Sequence, residues 1–228
     1  MTGLRVLDDE RRKRYADPLL TTLTILLVLL MFVVAPLQIE RGIGVTEVGA
    51  AIALMMIGGV RMLTIRLLPP LLMLAAVCMN AIVIFHRLHG RPSLEDLYLS
   101  AFAWITLTVT LGWVVARSVF GPGRINYHRI IGAILLYLLI AMAFASLYLL
   151  IGLRVPGAFA NVAFEDSPAL TSTLIYFSCV TLTTVGYGDI APVYPLARSL
   201  ANLEAIIGQL YPAILIGRLV TLQLERPD

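Results

Sequence analysis

Thr183-Thr184-Val185-Gly186-Tyr187-Gly188-Asp189 sets two glycines around a tyrosine, directly after an apolar run too short to cross a bilayer. Glycine takes up positive φ without the steric cost other residues meet, so alternating Gly with non-Gly lets successive carbonyls turn to one side of an extended strand. The main chain then presents a row of oxygens. In hydrocarbon those oxygens would be unsatisfied, and irregular backbone at membrane depth is tolerated only where it is buried in protein or lines an aqueous path. An axial pore supplies such a path. Four copies around one axis would stack rings of carbonyl oxygen from Thr184, Val185, Gly186 and Tyr187, with the Thr184 hydroxyl innermost, in place of an ion's hydration water. With one copy per chain, a tetramer is expected.

The rest of the chain supplies the membrane setting. Over 228 residues, 59% are hydrophobic and 14% charged, and the mean hydropathy is +0.90. That is more apolar surface than one soluble core hides, so the class is a membrane protein. A spanning helix needs about 20 apolar residues. Six windows are of this kind, near Leu19–Val34, Val45–Ile65, Leu67–Phe85, Leu94–Val119, Ile130–Leu153 and Val193–Leu222. The run Pro168–Leu182 is shorter and reads as a re-entrant helix that enters the bilayer and returns. Asp17 before Pro18, and Asp166 and Ser167 before Pro168, are helix-start signals, an acceptor for free amides followed by a residue of preset φ. Cytoplasmic loops retain Lys and Arg. An N-terminus inside puts 12 of the 17 basic residues on that side, both termini in the cytoplasm and the re-entrant run outside. A cleaved signal peptide is disfavoured, because acidic residues precede the first run at Asp8, Asp9 and Glu10 and no small-x-small site follows it.

Thr184 to Gly188 spells T-V-G-Y-G, and this resembles the selectivity filter of the potassium channel family, the best-known case of carbonyl coordination in a membrane. The likeness extends from about Ile130 to Leu222, two spans bracketing a short helix and the filter. It implies an all-α membrane protein of six transmembrane helices plus a re-entrant pore helix and selectivity filter, assembled as a homotetramer. The implied organisation is a cytoplasmic N-terminal segment at 1–18, a front module of four spans at 19–120, a linker at 121–129 broken by Gly121, Pro122 and Gly123, a pore domain at 130–224 and a short tail at 225–228. Potassium would be held by Thr184, Val185, Gly186 and Tyr187. Filter support is expected from Thr183 and Asp189, from Tyr176 and Phe177 where relatives carry cuffing aromatics, and from Val180 where some bacterial channels place a glutamate. On the last span, Gly208 stands where relatives have a hinge glycine, Pro212 removes a helix donor four residues on, and Gln209 and Ile216 are inner-cavity candidates. Close packing is the other reading of Gly208. Glu204 is an intramembrane acid, costly enough to have a purpose, and either bonds pore-helix hydroxyls or faces the ion path.

A voltage sensor needs about three or four gating charges per subunit. The fourth span has Arg117 alone, with no basic residue from Tyr98 to Ala116, so weak or absent voltage dependence is expected. Cys78 and Cys179 lie in apolar segments as small hydrophobes, and His86 with His89 reads as a polar span end before it reads as a metal site. No cofactor is implied beyond the permeant potassium ion, and the expected partners are lipids and further copies of the chain. The net charge of +3 follows from topology, with no basic patch for nucleic acid. No catalytic constellation is present, so an enzyme is not expected. A non-selective cation channel, a transporter and a non-conducting membrane subunit stay open as alternatives. One lysine against 16 arginines hints at a GC-rich bacterial source, for which the expected location is the inner membrane.

Overall fold

The computed structural model describes residues 19–34, 36, 68–90, 93–121, 127–165 and 167–224. It is built from helices and one very small sheet. In chain order these are α1 (Leu19–Val34, its last five residues Leu30–Val34 π-helical), α2 (Leu68–Leu88), α3 (Leu94–Val119), α4 (Tyr127–Arg154), β1 (Phe159–Ala160), α5 (Pro168–Leu182), β2 (Ala191–Pro192) and α6 (Pro195–Leu224). Among the described residues, α2, α3, α4 and α6 are long and apolar enough to cross a membrane, while α1 and α5 are shorter apolar helices. The predicted span Val45–Ile65 and the Asp17-Pro18 and Asp166 start signals lie outside the described residues.

Helix boundaries shift from the expected ones where tertiary contacts reach the ends. Helix α2 runs three residues beyond Phe85, and there His86 Nδ1 lies 2.8 Å from Asp96 Oδ1. Asp96 also closes a capping box with Ser93, each side chain bonding the other's amide, which starts α3 at Leu94. Helix α4 begins at Tyr127, inside the predicted 121–129 linker. There Thr21 Oγ1 meets His128 Nδ1 at 2.9 Å and Arg129 donates to the Gly121 carbonyl, contacts no single-helix pattern encodes. Helix α6 starts two residues after Val193 because the Val193 and Tyr194 amides still donate to the Ala158 carbonyl. Pro195 then takes the first helical position, where its missing donor costs nothing. Ser167 is the N-cap of α5 by backbone angle, but its side chain makes no capping bond, so the expected acceptor role is replaced by Pro168 in the first turn.

Helix α4 is the hub. Gly112 faces Leu136, and Val119 and Leu20 close on Gly132, so α3 runs antiparallel to α4 with α1 at the same end. Against its other side, Tyr211 Oη donates to the Ala133 carbonyl at 2.7 Å and Tyr148 reaches Glu204, which makes α6 antiparallel to α4 as well. Buried Gly132, Ala133, Ala141, Ala145, Ser146 and Gly152 allow these close approaches. Large apolar side chains such as Phe85, Val109, Trp113 and Ile214 point outward and are exposed, an arrangement that lipid tolerates and water does not.

Candidate ion-conduction site

The site forms where α5 ends. The last four carbonyls of a helix have no partner within it, and here each is used. The Cys179 carbonyl accepts from the Thr183 amide at 3.0 Å and its hydroxyl at 2.7 Å, the Thr181 carbonyl from the Thr184 amide at 2.9 Å, and the Leu182 carbonyl from Tyr137 Oη at 3.2 Å. The Val180 carbonyl accepts from the amides of Val185 at 3.0 Å and Gly186 at 3.3 Å, and from the Thr183 hydroxyl at 3.5 Å. Three amides of the T-V-G-Y-G segment, those of Thr184, Val185 and Gly186, are thereby turned back onto α5. Among the described residues, no hydrogen bond ends on the carbonyls of Thr184, Val185, Gly186 or Tyr187.

Backbone angles alternate along this segment. Thr184 (φ 58°), Gly186 (φ 58°) and Gly188 (φ 79°) are left-handed, and the residues between them are not. The alternation starts two residues earlier than the glycines alone signal. Thr184 is a β-branched residue in a region that disfavours it, strain of the kind that clusters at functional sites. Its hydroxyl bonds the Thr183 carbonyl at 2.7 Å.

Beyond Gly188 the chain is clamped. Strands β1 and β2 pair antiparallel, Phe159 with Pro192 and Ala160 with Ala191. The Asn161 side chain donates to the Asp189 carbonyl at 2.8 Å, and Arg198 Nε to that of Pro192 at 3.0 Å. Asp189 is exposed. The two predicted cuff aromatics separate. Tyr176 lies parallel to the Tyr187 ring at 6.5 Å on the open side, whereas Phe177 is buried against Tyr148 and Phe159.

The last helix carries the remaining expected residues. Glu204 is completely buried, and its two carboxyl oxygens bond Tyr148 Oη on α4 and Ser178 Oγ on α5. Gly208 is buried, and a Cβ there would land on the Leu182 carbonyl oxygen, a packing reason for glycine. Pro212 lies within a helix that continues past it. Gln209, Pro212 and Ile216 are exposed, on a helix whose Leu203, Ile206, Leu210 and Ile214 are exposed too. No metal-binding group of His, Cys, Asp or Glu occurs among the described residues.

The sequence profile described as ion channel matches residues 132–224, from within α4 to the end of α6. Protein LctB of Bacillus caldotenax is 30% identical over 128 residues, 53% of this chain and 93% of that protein. The chain belongs to the potassium channel family. The channel is also 34% identical over 92 residues to the inward rectifier potassium channel Kirbac3.1 of Paramagnetospirillum magnetotacticum, and over 89 residues to two pore potassium channel c of Oryza sativa subsp. japonica. Those matches span only 28% and 19% of the two relatives' lengths.

Several side chains that hold the channel's site together escaped the sequence reading. Tyr137 and Tyr148 are 11 residues apart (148 − 137), about three turns, so both lie on one face of α4 and reach α5 and α6. Ser178 and Asn161 carry no pattern of their own. Arg218 donates to the Phe120 carbonyl at 2.9 Å and lies 5.0 Å over the Phe120 ring, tying α6 to the end of α3. In sequence it reads only as a basic residue at a span end.

Proposed function

We propose that this protein is a potassium-selective channel that conducts passively through a fourfold axial pore lined by the carbonyls of Thr184, Val185, Gly186 and Tyr187. The observation that carries this is the set of unused carbonyls beside amides that are bonded backward to Val180. Those oxygens are left free to replace water around a cation. The exposed Val185 and Tyr187 side chains and the exposed apolar face of α6 suit a subunit whose neighbours complete the pore. In this reading each of four subunits has six spans, with α5 as the re-entrant pore helix, both termini in the cytoplasm, and α6 as the inner helix that gates. Gly208 or Pro212 would serve as the hinge.

Purified protein in a planar bilayer under mixed ions tests the reading. The reversal potential is expected to follow the potassium gradient and to ignore sodium. Equal permeation of the two ions through a folded assembly would reject selectivity, and absence of current under every ionic condition would favour a non-conducting subunit.

A voltage ramp on the same preparation is expected to show little voltage dependence. A charge crossing the field contributes about 2.3 kcal/mol per 100 mV, and α3 offers Arg117 alone, stacked 4.9 Å from the Trp113 ring near the helix end. A steep conductance–voltage relation would place sensing charges elsewhere.

A further inference from the structure

Glu204 sits where α4, α5 and α6 meet, and three oxygen-to-oxygen contacts run through it. Tyr148 Oη meets one carboxyl oxygen at 2.5 Å, the other carboxyl oxygen meets Ser178 Oγ, and Ser178 Oγ meets the Ala141 carbonyl at 2.7 Å. Oxygens at hydrogen-bond distance each need a hydrogen on the line between them, because facing lone pairs repel. Tyr148 owns one hydrogen and Ser178 owns one. A carbonyl and an ionised carboxylate own none. Two hydrogens cannot fill three lines. If Ser178 gave its proton to Glu204, its lone pair would face the Ala141 carbonyl. Every oxygen is satisfied in one arrangement: Tyr148 donates to Oε2, Oε1–H donates to Ser178, and Ser178 donates to Ala141.

We propose that Glu204 is a neutral carboxylic acid whose proton completes a hydrogen-bonded chain across α4, α5 and α6, and that this chain positions α5, and with it the T-V-G-Y-G segment, for conduction. The surroundings agree. Among the described residues, the other titratable groups in electrostatic reach are Tyr137 and Tyr148 on α4 and Cys179 on α5. None of these becomes a cation, so an ionised Glu204 would be a buried charge without a counter-ion among the described residues. Ser178 is two residues before Val180, whose carbonyl holds the Val185 and Gly186 amides. A shift of α5 at Ser178 therefore passes directly to the carbonyl row. Glu204 acts through its neighbours and is a positioning residue.

The conduction arm of this proposal rests on the function proposed above, while the protonation arm does not. Infrared difference spectra of the purified native assembly in H2O and D2O, set against Glu204→Gln, are expected to contain the carbonyl stretch of a protonated carboxylic acid that the variant lacks. Tyr148→Phe should shift that band, since it removes the bond to Oε2. In the bilayer, Glu204→Gln should conduct like the native protein, because its amide donates to Ser178 and accepts from Tyr148 in the same pattern. Glu204→Ala leaves two hydroxyls without their partner and should lose about tenfold or more of the current. Absence of the band from the native protein would overturn the neutral acid. A folded Glu204→Gln protein as defective as Glu204→Ala would overturn the positioning role. If the native protein fails to select potassium while the band is present, the proposed function falls and the protonation stands.

Discussion

Gly186→Ala should abolish most of the single-channel current while leaving the assembly folded. A Cβ at Gly186 meets nothing within 4 Å, so space is not the obstacle. The obstacle is φ at 58°. An alanine held there costs about 1–2 kcal/mol, and in a fourfold ring the cost recurs in every subunit. The backbone escapes it by rotating the peptide, which swings a carbonyl out of the row. Since about 1.4 kcal/mol is a factor of ten, a loss of about tenfold or more is expected in single-channel recordings. Thr184 holds the same left-handed angle, but its amide and hydroxyl are both bonded locally. Alanine at 186 would have only the 3.3 Å amide contact to Val180. Unchanged current in a well-folded variant would count against the carbonyl row as the conduction path.

Gly208→Ala should lower the thermal stability of the purified assembly. The new Cβ would fall on the Leu182 carbonyl oxygen, and that is backbone at the end of α5, with no flexible side chain to give way. Overpacking of this kind costs about 1–3 kcal/mol per site. The Leu182 carbonyl also accepts from Tyr137, so pushing it away breaks a second contact between α4 and α5. A clear drop in melting temperature together with reduced current is the expected result. The hinge role proposed for Gly208 makes a different prediction, an altered open probability with melting unchanged. The pair of measurements separates close packing from bending.

Much of the fold was legible because its signals are local. Length and apolarity mark the spans, and α3 occupies Leu94–Val119 as the hydropathy suggests. The run Pro168–Leu182 becomes α5 over the same residues, since a proline at its start and threonine and glycine after its end delimit it. The Gly-Tyr-Gly pattern announces a backbone that departs from helix and strand, because only glycine takes positive φ cheaply. Ser93 with Asp96 was a readable capping box that the span count passed over.

What Glu204 touches is set elsewhere in the chain. Its partners Tyr148 and Ser178 are 56 and 26 residues away, and the choice between an ion path and a buried bond depends on how α4, α5 and α6 pack. The same packing brings Gly208 onto Leu182 and sends Phe177 inward while Tyr176 faces the open side. The left-handed turn at Thr184 is likewise imposed by the amide bonds that its neighbours make to α5. Apolar spans, and a short helix followed by a glycine-punctuated segment, follow from neighbouring residues alone. Which oxygens are bonded and which are free was decided by tertiary structure, because a hydrogen bond between distant residues depends on where three helices meet.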